Sequence, residues 1–439
     1  MSDPPILPLP IGLAASAGVF IVLVLTLRQM RGRAATFVIS AIWLRFLMSA
    51  FHTYTYDPLF AGLSGNALGS IAVTVAGILL LAPRYWALKV LLPVYGLISL
   101  VIFSAVLNGA PASALNTVVK YLYFAVILIA TYQALLENAP QRFTAGLLGA
   151  FAPLAVFQAL SLALGVVKMS ESDGSASYIG GYFHEASFSI ALLAGFFVLS
   201  LQRRWPLGVK LLALVIAAVA IYLANYRTSI LALAALAPYA LLGDMARSFV
   251  PRQRALVTAL ACILSFAVVA ALAGSMAERF GDIAAFTQSP ERYIKPPEEF
   301  TREDMGLMSA RAYIWSTYFY GWLEAAPVQQ LFGHGPDSWE DVMPVYPHNT
   351  LLAALFELGV FGVGAMLVFW ITMLSVALGI AASDKWHFIL GHAAFFILNM
   401  ATMALWQIEG IIFYALICGF SLHALNKQRV GPRVAAQAI

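Results

Sequence analysis

The sequence predicts an all-α polytopic membrane protein of about 12–13 transmembrane helices, with one long outer loop that contains an amphipathic helix. Three observations carry this prediction. Of 439 residues, 61% are apolar and only 10% are charged, and the mean hydropathy is +0.84, a balance that no water-soluble domain sustains. Apolar runs of the ~20 residues needed to cross a hydrocarbon core recur along almost the whole chain. The lysines and arginines fall in alternate hinges, which is the bias that keeps short basic loops on the cytoplasmic side.

The first apolar run covers about 8–27 and ends at Arg28, Arg31 and Arg33. Met1 to Pro10 has no basic n-region, so this run is expected to be a retained span rather than a cleaved signal. Runs near 34–51 and 67–83 come after it and lead to Arg84 and Lys89; runs near 90–107, 115–136 and 143–165 come next, with Arg142 before the last. Spans near 186–201 and 209–225 flank Arg203, Arg204 and Lys210, and spans near 228–242 and 255–275 flank Arg247, Arg252 and Arg254. Spans near 349–380, 388–405 and 411–425 complete the series, with Lys385 in a hinge and Lys427, Arg429 and Arg433 in the tail. The expected organisation is a bundle of about ten spans over 1–275, an outer loop over 276–348, C-terminal spans over 349–425 and a cytoplasmic tail over 426–439.

With an odd number of spans, the amino terminus lies outside. The net charge of +4 and the pI of about 9.0 then report topology, and no nucleic acid is needed as a partner. Cys262 and Cys418 both fall inside spans, where they read as small apolar residues rather than a disulfide or metal site.

Two outer links are not short. The link at about 166–187 is rich in Ser, Gly and acidic residues, and the one from about 276 to 348 is the only long soluble segment. Within it, Arg311, Trp315, Tyr318 and Trp322 recur at helical spacing, which predicts one face of an amphipathic helix over Ala310 to Phe332 lying on the bilayer. Trp and Tyr suit the headgroup level as plain anchors, whereas an arginine leading such a face turns its fork toward phosphate. His348 opens the next helix, and Leu352, Leu355, Gly359, Gly362 and Met366 share its face. The glycines read as helix-packing residues. A neutral imidazole at His348 can take a proton from a hydroxyl, and Asn349 beside it could orient a substrate; equally, His348 could be a mere helix-start residue. Glu357 lies on the opposite face and below the surface, where a carboxylate marks either function or a buried partner.

Arg227 stands in a tight outer turn, against the topology rule, so it either snorkels to headgroups or holds an anion together with Thr228, Ser229 and the N–H groups of the helix they begin. Arg227 and Arg311 would then form a pyrophosphate clamp. Lys120, inside the fifth span, is a candidate third cation or the partner of a carboxylate. Asp337, Glu340 and Asp341 read as a solvated loop, and no carboxylate cluster has convincing metal-ligand spacing.

These residues resemble a known family. His348-Asn349, with Gly359-Val360-Phe361-Gly362 nine residues further on, is similar to the histidine motif of O-antigen ligases and Wzy-type O-antigen polymerases, bacterial inner-membrane glycosyltransferases. Arg227-Thr228-Ser229 resembles their outer Arg-Ser motif, and Arg311…Trp315…Gly333-His334-Gly335 resembles the loop pattern before the histidine. The resemblance implies an undecaprenyl-pyrophosphate-linked glycan as donor, moved en bloc onto an acceptor hydroxyl at the periplasmic face of the bacterial inner membrane without metal or other cofactor. It implies that Arg227 and Arg311 bind the pyrophosphate and that His348 activates the acceptor. It also implies an acceptor glycan lipid, a chain-length regulator and a flippase as partners. Polymerase and ligase differ in acceptor: another lipid-linked repeat unit, or lipid A–core. Gly181-Tyr182-Phe183-His184-Glu185-Ala186-Ser187 resembles the Phe-x-Glu-Pro-Ser stretch of the polymerases, with Ala186 in place of proline, and favours that reading. It makes Glu185 a candidate for sugar binding or proton transfer and His184 a lesser one, against the plainer reading that both cap the next span.

A flippase or transporter predicts charged or broken helices at mid-membrane, in matching halves. This chain has few such residues and no clear internal repeat. A scaffold would tolerate loss of both arginines and His348.

Overall fold

The structure, a computed structural model, describes the chain apart from residues 1–4, 61, 170–173, most positions between 251 and 292, 303, 307–309, 343–344 and 438–439. The expected span near 255–275, with Cys262, and the first part of the long loop therefore lie largely outside the described residues. The rest is mostly helical. Among the described residues seven helices are long and apolar enough to cross a membrane, and four shorter apolar ones accompany them.

Helices α1 (Leu9–Leu27) and α2 (Arg33–Ala50) form the first pair, and a single turn, α3 (His52–Thr55), comes directly after. Next come α4 (Gly65–Leu80), α5 (Leu92–Leu107) and α6 (Ala114–Glu137), close to the expected spans. Ser64 starts α4 by accepting a hydrogen bond from the Ala67 N–H. The run near 143–165 is two helices, α7 (Pro140–Gly149) and α8 (Ala152–Leu164). Pro153 explains the division, because its ring and missing N–H are tolerated in the first turn of a helix but would break one running through from Gly149.

Helices α9 (Glu185–Ser200), α10 (Leu207–Leu223) and α11 (Arg227–Ser248) complete the first part. The long loop contributes α12 (Arg311–Leu323) and α13 (Pro327–Phe332). Finally α14 (Thr350–Leu378), α15 (Ala382–Ala401) and α16 (Ile408–Gln437) return to the bundle, with α16 continuing through most of the expected tail.

The core centres on α6 and α16, which pack against each other; α6 also meets α2, α4 and α5, and α16 meets α9, α14 and α15. Tyr414 of α16 is buried, stacked on Phe395 at 4.0 Å and flanked by Phe124 and Phe369, each at 5.6 Å. Lipid tails are as apolar as these rings, so interlocking van der Waals contact rather than escape from water holds such helices together. At one end of the bundle the basic hinges meet, where the Arg31 N–H donates to Asn138 and Gln141 donates to the Leu201 carbonyl; at the other, Tyr226 before α11 meets Thr402 and Thr350 of α14 donates to Asn399.

One irregularity shapes that second end. Helix α14 is kinked at Gly359, which has φ 68° and ψ −162°. The break frees the carbonyls one turn earlier, and the loop after α13 takes them up: the His334 N–H donates to Phe356 at 2.9 Å and the Gly335 N–H to Glu357 at 3.0 Å. Ser104 of α5 donates to Phe332 and Glu357, and Asn108 donates to Gly333. The approach is so close that a Cβ on Gly359 would sit 2.3 Å from the Leu331 carbonyl, and one on Gly333 would sit 2.1 Å from Glu357. Freed backbone groups inside a membrane must be satisfied by protein, and here the loop supplies the partners. The expected role of Gly359 in close packing holds, with the last turn of α13 as the neighbour.

The expected amphipathic helix is thus two helices, and its aromatic face is turned onto protein. Tyr318 is fully buried against Phe356 and donates to the Val345 carbonyl at 2.7 Å. Trp315 donates to Pro347 and Trp322 to Gln330. The phenol and indole donors find backbone carbonyls in the loop, which is why this face packs inward. Phe319, Leu323, Val328 and Leu331 are the exposed apolar residues of α12 and α13.

Candidate functional site

Four helix starts build the site. At α9 the cap is His184, whose Nδ1 accepts from the Ala186 N–H at 3.1 Å. Its neighbour Glu185 accepts from Lys168 at 2.8 Å, and Lys168 also donates to the Phe183 carbonyl. At α11 the residue before the helix is Tyr226, whose hydroxyl lies 2.9 Å from that of Thr402 and whose ring lies 6.5 Å from His184; Arg227 is the first helical residue. At α12 the first residue is Arg311, entered through Ala310 in the left-handed region at φ 63°. At α14 the cap is Asn349, which accepts from the Leu351 and Leu352 N–H groups. Before it, His348 has φ 55° and its ring stands 4.2 Å from that of Tyr346.

The charges of these groups reach one another. Burial, then the positive charge of Arg311 and any on His184, lower His348 to about 4. Its imidazole is therefore neutral near pH 7, with a lone pair to offer. His184 is also held below the usual histidine value, chiefly by burial, with Lys168 adding to the effect and Glu185 opposing it. Its Nδ1 accepts a backbone N–H, so the neutral ring carries its proton on Nε2. The 3.8 Å separation from Glu185 is then proximity and not an ion pair. Burial pushes Tyr346 up to about 12, with Tyr226, Arg311 and Glu185 also acting on it. Arg311 lies close enough to influence Tyr226, Tyr346 and His348, and its Nε is buried without a hydrogen-bond partner. An unsatisfied guanidinium N–H costs stability in a protein interior and suits an anionic acceptor. The positive end of a helix dipole at each of these starts favours the same sign of ligand.

The structure brings together His184, Glu185, Arg311 and His348, and begins α11 with Arg227 directly after Tyr226. Asn349 is engaged otherwise: its oxygen caps α14 and its nitrogen donates to the Met400 carbonyl at 3.3 Å. Lys120 sits lower, 4.1 Å above the Trp406 ring, where Asp337 and Glu357 act on it. A cavity of about 40 Å³ lies there, lined by Lys120, Glu357, Thr350 and Trp406 among others. Sequence reasoning passed over Lys168 and Tyr346. Lys168 had a usable signal, since it is a basic residue in an outer link, as Arg227 is. Tyr346 had none beyond its closeness to His348. Among the described residues no group of three or more His, Cys, Asp and Glu is arranged to hold a metal ion.

The described residues thus form a helical bundle of the membrane-spanning kind, with cationic and imidazole groups at the convergent starts of several of its helices. Residues 212–368 match the family model described as O-Antigen ligase, and that match supports a likeness to the O-antigen ligase and polymerase superfamily. The match includes Arg227, Arg311 and His348 but stops short of His184, Glu185 and Lys120. The domain supports a function of the ligase and polymerase kind. No curated protein matches the chain.

Proposed function

We propose that this protein is an inner-membrane glycosyltransferase that moves a glycan from undecaprenyl pyrophosphate onto the hydroxyl of another lipid-linked repeat unit, at the periplasmic face. The observation that carries the reading is the buried, unpartnered Nε of Arg311 beside a neutral His348. In the transfer, the acceptor oxygen forms a bond to the anomeric carbon as that carbon's bond to the pyrophosphate oxygen breaks. The acceptor proton passes to His348. Charge grows on the departing pyrophosphate, and Arg311 with Arg227 offsets it; fixed positive groups that meet charge only as it develops lower the barrier.

A value near 4 makes free His348 a weak base. Binding the donor changes this, because an anion on Arg311 cancels one of the charges that depress it. Donor binding thus prepares the base. Glu185, held by Lys168, is placed to accept sugar hydroxyls, and Asn349 to keep the start of α14 and so His348 in place. Lys120 lies within the influence of Asp337 and Glu357 beneath the site.

A second reading, transfer to lipid A–core, is favoured by the description of the matched family as a ligase. The Phe183-His184-Glu185 stretch, whose residues adjoin the arginine and histidine, favours polymerase. Polymer output from cells depleted of the native protein tests the shared chemistry. Arg311→Ala is expected to lower it about 10²–10³-fold and His348→Ala about 10²–10⁴-fold, with both variants present in the membrane. Undiminished output from either would remove the proposal.

A further inference from the structure

Away from the arginines, a circuit of hydrogen bonds ties the site to α2. Arg45 donates from Nε to Glu409 Oε1 at 2.9 Å and from Nη2 to Oε2 at 3.3 Å, and Ser49 donates to the same Oε1 at 2.9 Å. Glu409 is 1% exposed and lies in the first turn of α16. Two residues before it, Gln407 accepts from the Ser187 hydroxyl at 3.0 Å. Ser187 is in the first turn of α9, directly behind His184 and Glu185. On the far side of that segment the Tyr182 hydroxyl donates to the Phe46 carbonyl at 3.2 Å, and His52 Nδ1 meets the Gly181 carbonyl at 2.6 Å. Phe46 belongs to α2 and His52 lies just past its end, so the circuit closes on the helix where it began.

Packing alone does not account for the ion pair. Taking two charges out of water is costly, and apolar residues of similar size would hold two helices at least as well. Ionisable side chains within a membrane bundle are functional candidates for that reason. What the pair supplies is direction. A two-pronged guanidinium–carboxylate contact fixes the angle as well as the distance between its partners, and here the carboxylate sits at the root of the turn that grips Ser187.

We propose that Arg45 and Glu409 are positioning residues for the transfer reaction: they lock the start of α16 to α2 and, through Gln407 and Ser187, set His184 and Glu185 against Arg311 and His348. Neither touches substrate. The inference rests on the transferase reading above.

The test uses the full-length protein in vesicles with a lipid-pyrophosphate-linked glycan, measuring kcat and donor KM per monodisperse, folded protein. Glu409→Gln is expected to lower kcat about tenfold or more, since small misplacements of reacting groups are costly, while KM stays within about twofold. Arg45→Lys keeps the charge but loses the fork and should lower kcat by a smaller factor than Glu409→Gln. Ser187→Ala leaves the ion pair intact and breaks only the link to Gln407, so it should lower kcat in the same direction by a smaller factor even if Glu409→Gln fails to fold. Variants that lose thermal stability but keep wild-type kcat, or a Ser187→Ala protein with unchanged kcat, would overturn the proposal. A wild-type protein that transfers no glycan would instead count against the transferase reading itself, and the inference would fall with it.

Discussion

His348 and Arg311 oppose each other in the free protein, and that opposition is measurable. His348 has its value lowered to about 4 by burial and by Arg311, so the neutral form needed for proton transfer persists as pH falls. The acid limb of kcat/KM, which reports the free enzyme, should lie well below the ~6.5 of an ordinary histidine. Arg311→Gln removes a positive neighbour, so the remaining activity should show its acid limb displaced upward, toward neutrality. A pH–rate profile of both proteins checks this. Identical limbs would mean that His348 is not the titrating group or that Arg311 does not act on it. At this scale the sequence was informative where a residue broke a rule or stood in a pattern: Arg227 violated charge topology, and His348 was marked by the spaced glycines of its helix. It was uninformative about Tyr346, because an aromatic residue at a membrane surface needs no special explanation.

Elements carry the site because their starts converge, and each start rests on a small number of contacts. Asn349 satisfies two N–H groups of α14 and should cost about 0.5–2 kcal/mol on replacement by Ala. Loss of this cap should appear as a lower melting temperature and as reduced activity, because His348 is the adjoining residue. Gly359→Ala meets two obstacles, a left-handed φ of 68° and a Cβ placed 2.3 Å from Leu331. Strain of about 1–3 kcal/mol is expected, seen as a lower melting temperature, whereas Gly364→Ala in open space on the same helix should leave it nearly unchanged.

The helices themselves were legible from apolar runs and basic hinges. The kink was not, because hydropathy continues unbroken through Gly359, and the bend depends on a loop about 25 residues earlier docking its backbone there. The break between α7 and α8 had its sign in Pro153, yet the apolar run concealed it. The aromatic face of α12 was read correctly as a face. Its direction was not, since an interfacial Trp and a Trp that bonds a loop carbonyl look alike in sequence.

For the molecule as a whole, composition alone determined the polytopic helical class, because only helices and closed barrels satisfy their backbone within lipid and the runs are helix-length. The three motif residues lie within the matched domain at residues 212–368. The support behind them comes from α2, α6 and α16, distant in sequence, and no local pattern announces contacts such as Arg45 with Glu409. In the proposed reaction the whole bundle presents a pyrophosphate-linked glycan and an acceptor to Arg311 and His348 together. The most direct test is to reconstitute the purified protein with undecaprenyl-pyrophosphate-linked repeat units alone and separate the products by size. A polymerase working through this site yields a ladder of lengthening glycans with release of undecaprenyl pyrophosphate, abolished in His348→Ala. Transfer only when lipid A–core is added would make the protein a ligase acting through the same site, and unchanged donor under both conditions would contradict the account.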